Sequence, residues 1–389
     1  MNYRRTVSAC FIGYIVQAIV NNFVPLLFLT LQRQYGIPLS QITALITVNF
    51  AVQLTVDLLS AVWIDKIGFR RAIAAAHILS AAGLLALPVL PEILPPFAGI
   101  LAAVILYAVG GGLLEVLVSP IMEACPTGNK ETAMSLLHSF YCWGQVGVVL
   151  LSTLFFRLAG TARWKLLAGL WALIPAANCL LFLRAPIAPL QKPDEERIPA
   201  SALFRSSRFR LLLLMMVCAG AAELSVSQWA SFFAEKALQI SKTAGDLAGP
   251  MAFGLLMGCA RAFYGRYGEK IPLERFMCGS AVLCICAYLT IALVPSPVIN
   301  LIGCAVCGLS VGIMWPGTFS KAAASLRRGG AVLFSLLALG GDIGCSFGPT
   351  LVGLTAGQSD MKKGILSAVI FPLGFLVCML LMRKESNKS

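Results

Sequence analysis

Runs of about 20 apolar residues recur from one end of the chain to the other, and no other feature restricts the possible fold as much. That is the length a helix needs to cross the hydrocarbon core of a bilayer. Twelve such runs can be drawn, at about 6–31, 41–63, 72–91, 98–121, 132–155, 166–184, 209–233, 247–265, 273–294, 297–320, 331–354 and 364–382. In lipid each run must satisfy its own backbone hydrogen bonds, which makes every one a helix. A transmembrane barrel would show short alternating strands instead. Only 12% of the 389 residues are charged and 58% are hydrophobic, too few charges to cover a soluble body of this size. The expectation is an all-α membrane protein of twelve transmembrane helices.

A net charge of +13 would suggest nucleic acid in a soluble chain, but here the basic residues sit in short loops between apolar runs. With the N-terminus inside, 22 of the 30 Lys and Arg fall on the cytoplasmic side. That bias orients the chain with both termini in the cytoplasm. Arg4 and Arg5 precede an apolar run that continues to about Leu31 without a small-residue cleavage site, so it reads as the first span rather than a signal peptide. Thirteen cysteines are scattered, most of them inside apolar runs. Cys304 and Cys307 form a CxxC with no histidine or second pair nearby, and read as buried thiols. No metal and no cofactor are expected.

The polar, proline-rich stretch 185–208 reads as a cytoplasmic linker between an N-terminal half, 1–184, and a C-terminal half, 209–389. The halves echo each other at an offset near 200 residues. Asp65-Lys66-Ile67-Gly68-Phe69-Arg70-Arg71 follows span two, and Gly265-Arg266-Tyr267-Gly268-Glu269-Lys270 follows span eight. Gly144-Gln145-Val146-Gly147 in span five answers Gly341-Asp342-Ile343-Gly344 in span eleven, and Pro120 answers Pro316. Together these point to an internal duplication, a common plan in transporters.

Ionisable groups inside a membrane are costly and mark function by default. Asp57, Glu115, Glu223 and Asp342 lie within spans, and no Lys or Arg lies in the middle third of any expected span. Glu115, Glu223 and Asp342 are therefore candidates for proton coupling, with His138 as a fourth. Asp57, two turns from the basic loop, reads as a brace for it. Polar and small residues line up at helical spacing: Tyr14, Gln17 and Asn21 in span one; Asn49, Gln53 and Asp57 in span two; Gly111, Gly112, Glu115 and Ser119 in span four; His138, Cys142 and Gln145 in span five; Gly220, Glu223 and Ser227 in span seven. Such stripes suit the wall of a wet cavity, because lipid-facing positions would be apolar. They serve equally for close helix packing. Gln17, Asn21, Asn22, Ser119, Trp143, Gln145, Gln228 and Trp315 are the candidates for holding a solute. Trp229, near a helix end, reads as an interfacial anchor.

The six-plus-six plan and the Asp65–Arg71 loop resemble the major facilitator superfamily across essentially the whole chain. That resemblance implies a gating role for Asp65, Gly68, Arg70 and Arg71. Gly110-Gly111-Gly112-Leu113-Leu114-Glu115-Val116-Leu117-Val118-Ser119-Pro120 is similar to the GxGxLExxx[NS]P segment of the fucose permease group of sugar–proton symporters. Trp315-Pro316-Gly317-Thr318-Phe319-Ser320 is similar to that group's aromatic-Pro-x-x-Phe-Ser. The resemblance ties Glu115 to substrate and proton handling. Asn22 lies near the position where the group carries an acid in span one.

The expected function is secondary active transport of a small polar solute, with a sugar as one candidate, by proton symport with alternating access. An efflux antiporter for drugs or metabolites is the alternative within the same class, and a non-transporting solute sensor the alternative from another. Enzymatic chemistry is not expected, since no metal-ligand cluster, nucleotide loop or nucleophile motif is present. The implied partners are a small molecule, protons and the lipid bilayer, without nucleic acid. The setting is a bacterial-type inner membrane and the working unit a monomer.

Overall fold

The computed structural model describes residues 3–126, 130–188, 200–267, 271–326 and 330–386. Among them there is no strand, and twelve helices are long and apolar enough to cross a membrane. In order they are Arg4–Tyr35, Leu39–Leu59, Phe69–Ala86, Pro96–Ala124, Leu136–Ala159, Thr161–Arg184, Ser207–Ala237, Lys242–Tyr264, Leu273–Leu293, Pro297–Ser325, Val332–Gln358 and Met361–Lys384, here spans one to twelve. Each expected apolar run falls on one of them. The protein is an all-α membrane protein of twelve spans. Of the expected linker, residues 189–199 lie outside the described residues, and Ala200–Arg205 forms a short helix. The chain divides into two compact units, Met1–Lys192 and Pro193–Ser389.

Spans one, seven and ten each leave regular α-helix part-way along. In span one the helix Arg4–Asn22 gives way to a 3-10 turn, Val24–Leu27, before resuming as Phe28–Tyr35. Pro25 lacks an N–H and cannot continue the α-helical ladder. Span seven leaves regular helix after Ser227 and ends in a π-helical turn, Phe233–Ala237. Span ten breaks at Gly312 and Ile313, between Pro297–Val311 and Met314–Ser325. Span four runs unbroken from Pro96 to Ala124 although Pro120 lies inside it.

In the first unit, span four packs against three neighbours through three consecutive glycines. Successive helical residues turn by about 100°, so each glycine faces a different helix. A Cβ on Gly110 would sit 2.6 Å from Ala76 O of span three. On Gly111 it would meet Val20 Cγ1 of span one at 2.9 Å, and on Gly112 Gln53 Cα of span two at 3.0 Å. Lipid supplies no hydrophobic drive between helices, so close backbone approach of this kind supplies the packing. The second unit uses the same device between spans seven and eleven. A Cβ on Gly348 would lie 2.6 Å from Ala221 O, and one on Gly220 would run into the carbonyl of Gly341. Gly220 therefore serves close helix packing, one of the two roles its stripe allowed.

Side chains close the ends of the first unit. Arg70 donates to Phe182 O at 3.0 Å, Leu183 O at 2.7 Å and Ala185 O at 2.9 Å. These are carbonyls that the last turn of a helix leaves unpaired, and a cation complements the dipole there. At the opposite end Tyr35 donates to Glu92 at 2.8 Å, Lys165 pairs with the same carboxylate at 2.6 Å, and Trp164 Nε1 donates to Gln34 Oε1 at 2.8 Å. Deep in the unit, Asn178 donates to Ala9 O at 3.0 Å and to His77 Nε2 at 2.8 Å, while His77 Nδ1 donates to Ile73 O at 2.7 Å. Both ring nitrogens of this fully buried histidine are thereby occupied. Neither residue stands out from the apolar runs of spans three and six except by its polarity.

Candidate solute and proton site

Polar side chains of spans one, two and four meet beside the interruption of span one. Gln17 Nε2 donates to Glu115 Oε2 at 3.1 Å and to Gln53 Oε1 at 3.0 Å. Gln53 Nε2 donates in turn to Asn21 Oδ1 at 2.8 Å, which also accepts from Asn49 Nδ2 at 3.4 Å. A carboxylate only accepts hydrogen bonds, so Glu115 fixes which way the Gln17 amide points. The amide oxygens Gln17 Oε1 and Asn49 Oδ1 are buried with no hydrogen-bond partner. Among the described residues Glu115 makes no ion pair.

Asp57 approaches the same acid. Its carboxylate lies within 4.8 Å of that of Glu115, so it belongs to this polar group. One turn further along span four, Ser119 Oγ shares a hydrogen bond of 2.9 Å with Tyr14 OH. Tyr14 OH also lies 3.2 Å from Nδ1 of His138, whose side chain is exposed.

The other sequence candidates of the first unit divide. Gln145 is buried on span five. Asn22 donates to Ala18 O at 2.9 Å and to Tyr141 OH at 3.5 Å, toward span five and away from the amide group. Trp143 is 45% exposed, on a stripe with Leu136, Leu150 and Leu154. Two residues of helix separate it from Gln145 by about 200°, so the structure does not bring its indole to the polar group. In the loop after span two, Gly68 holds φ 85°, a left-handed value that favours glycine. Arg70 is the helix cap described above, Arg71 is exposed, and the side chain of Asp65 lies outside the described residues. Gly268–Lys270 of the second loop lie outside them as well.

In the second unit the expectation that intramembrane acids lack cations fails at Glu223. Arg261 Nη2 lies 3.4 Å from Glu223 Oε2, and Arg261 Nε donates at 3.2 Å to Gly312 O at the break in span ten. Long basic side chains reach along a helix, which is why a residue six positions from the end of Ala252–Tyr267 meets an acid of span seven. Trp229 is fully buried and donates to Pro349 O at 2.9 Å, so it is a packing residue and not an interfacial anchor. Gln228 is buried beside it. Trp315 lies over Gly341, whose missing side chain makes room for the indole, and Asp342 is half-buried next to that contact. Sequence reasoning missed one further group. Asp246 is completely buried, pairs with Lys242 at 2.9 Å and accepts from Ser231 at 2.5 Å, while Glu235 lies 3.2 Å from Lys242. The i, i+4 spacing of Lys242 and Asp246 was the available signal.

The Major Facilitator Superfamily model matches residues 9–349. The chain belongs to that superfamily. It is thus a transporter by family. Solved structures of the superfamily fold agree over nearly the whole length. A D-xylose–proton symporter superposes with a TM-score of 0.79 at 12% identity, covering 98% of this chain and 97% of that one. A bacterial homologue of the human lysosomal transporter Spinster, in an inward-facing unoccupied conformation, gives 0.79 at 12% identity with the same coverage. A variant of the E. coli fucose:proton symporter gives 0.66 at 14% identity, covering 98% of this chain and 99% of that one. At these identities the likeness is one of fold. No curated protein sequence matches the chain.

Proposed function

We propose that this superfamily member is a secondary active transporter that moves a small polar solute, with sugars the first class to test, together with a proton. The observation that carries the reading is Glu115 held by the Gln17 amide, beside the amides of Gln53 and Asn21 and the carboxylate of Asp57 and, among the described residues, outside any ion pair. Ionising a carboxyl away from water and cations is costly, which suits a residue that loads a proton and gives it up as the site changes sides. The partnerless oxygens of Gln17 and Asn49 suit a solute that brings hydrogen-bond donors. Two of the proteins that share the fold are described as sugar–proton symporters. Glu223 is less suited to carry the proton, because Arg261 compensates its charge. Residues 1–184 would rock against 209–389 in a bacterial-type inner membrane, as a monomer with both termini cytoplasmic. A reporter fused to the C-terminus and scoring periplasmic would refute that orientation.

The test uses proteoliposomes, once a thermal-shift screen of sugars, acids and drugs has found a solute. Glu115→Gln mimics the protonated acid. It should keep solute binding and exchange at zero gradient and lose uphill accumulation. Full accumulation by the variant would remove Glu115 from the coupling.

A further inference from the structure

The chain has two histidines, and they differ completely in setting. His77 is buried with both nitrogens bonded, whereas His138 is exposed. From His138 a line of hydroxyls leads inward: Nδ1 to Tyr14 OH at 3.2 Å, then Tyr14 OH to Ser119 Oγ at 2.9 Å. Ser119 lies four residues after Glu115 on an unbroken helix, hence on the same face about 5–6 Å away. A single water between the two side chains would close such a gap. Tyr14 itself is only 9% exposed, so the line runs from an exposed group through a buried one to the acid.

The geometry points to His138, the third residue of span five and near the end that the basic-residue bias places in the cytoplasm, as the port through which Glu115 exchanges its proton, with Tyr14 and Ser119 as the relay. This rests on the reading of Glu115 as the proton carrier. The step balances. A proton leaving Nδ1 of the imidazolium enters on Tyr14 Oη as the proton already there moves to Ser119 Oγ. The serine proton passes through the water to the carboxylate. Each hydroxyl is restored; the imidazolium loses one proton and Glu115 gains one. An imidazole suits the port because either ring nitrogen can carry a proton and pass it to a hydrogen-bonded hydroxyl. The titratable groups facing this line are Cys10 and Tyr14 on span one, Asp57 on span two and Glu115 on span four, with Cys142 one turn beyond His138 on span five.

No solute is needed for the test. After a rapid pH drop, the purified full-length protein is followed by time-resolved infrared spectroscopy. The Glu115 carboxyl band is the one that Glu115→Gln removes. In His138→Gln and in Tyr14→Phe the band should reach its full amplitude at a rate at least tenfold lower. Added imidazole should restore the rate in His138→Ala. An unchanged rate in both variants would overturn the relay. Loss of the band in both would mean that the two residues build the pocket and do not feed it, which also overturns it. If the wild-type protein shows no Glu115 band at all, the reading of Glu115 as proton carrier falls first. An unchanged rate with the band present removes the relay alone.

Discussion

Arg261 holds Glu223 at 3.4 Å and at the same time donates to the carbonyl of Gly312, so one guanidinium joins the acid of span seven to the break in span ten. Glu115 has an amide partner instead. Two acids that look alike in sequence therefore carry different burdens.

Removing Arg261 alone strands the carboxylate of Glu223, whose side chain is only 12% exposed. Arg261→Met should lower stability by roughly 2–4 kcal/mol, somewhat less than for a fully buried pair because Arg261 keeps some exposure. The double variant Arg261→Met with Glu223→Gln should recover much of the loss. Thermal melts in detergent decide it, and equal melting of single and double variants would count against the pair.

The three glycines of span four should differ in what they tolerate. A methyl at Gly110 meets backbone at 2.6 Å and cannot be accommodated by a rotamer change, so Gly110→Ala should cost about 1–3 kcal/mol. A methyl at Gly111 meets a Val20 side-chain atom and, at 3.1 Å, Gln17 Oε1. Gly111→Ala should melt closer to the wild type yet reduce solute accumulation by displacing Gln17. The reverse order of the two melting temperatures would contradict this packing.

Arg70→Gln removes the cation from three carbonyls at the end of span six. The expected cost is about 1–2 kcal/mol, reduced by the exposure of the guanidinium. Amide hydrogen exchange should accelerate over the last turn of Trp164–Arg184 and leave the centre of that helix protected. No change at the helix end would make Arg70 dispensable as a cap.

The hydrogen bond from Lys165, followed by that from Tyr35, holds the Glu92 carboxyl below its ordinary range. A carboxyl depressed in the folded state stabilises at pH above its unfolded value, and the contribution is lost as pH falls through the folded one. Protection of residues near Tyr35 and Trp164 should therefore decline at acid pH, below the usual carboxylate range. Glu92→Gln should abolish that acid-dependent part of the decline. Hydrogen exchange measured over a pH series reads this directly.

The twelve spans were legible because bilayer thickness sets the length of an apolar run, whatever the packing. Glu115 with Gln17, Asn21 and Gln53 was legible because each interrupts such a run at helical spacing. The Arg261–Glu223 pair was not, since a flexible basic side chain carries its charge away from its own Cα, across 38 positions of sequence. Trp143 misled for a different reason. Both faces of a membrane helix can be apolar, so hydrophobicity alone does not separate the stripe with Leu136 and Leu150 from the face with Gln145. The nearness of Asp57 to Glu115, within 4.8 Å, was not legible either, because its place along span two pointed to the basic loop.

Where Gly110, Gly111 and Gly112 follow one another, span four is a bare rod, stripped of side chains around most of its circumference. Each glycine costs a helix about 1 kcal/mol relative to alanine, so this stretch is a weak part of the span until its neighbours clasp it. Those neighbours are spans one, two and three, all of which leave the ribosome earlier. The order of synthesis thus supplies the mould before the casting, and a circular permutation that made span four the first to emerge would deprive it of every surface that keeps it straight.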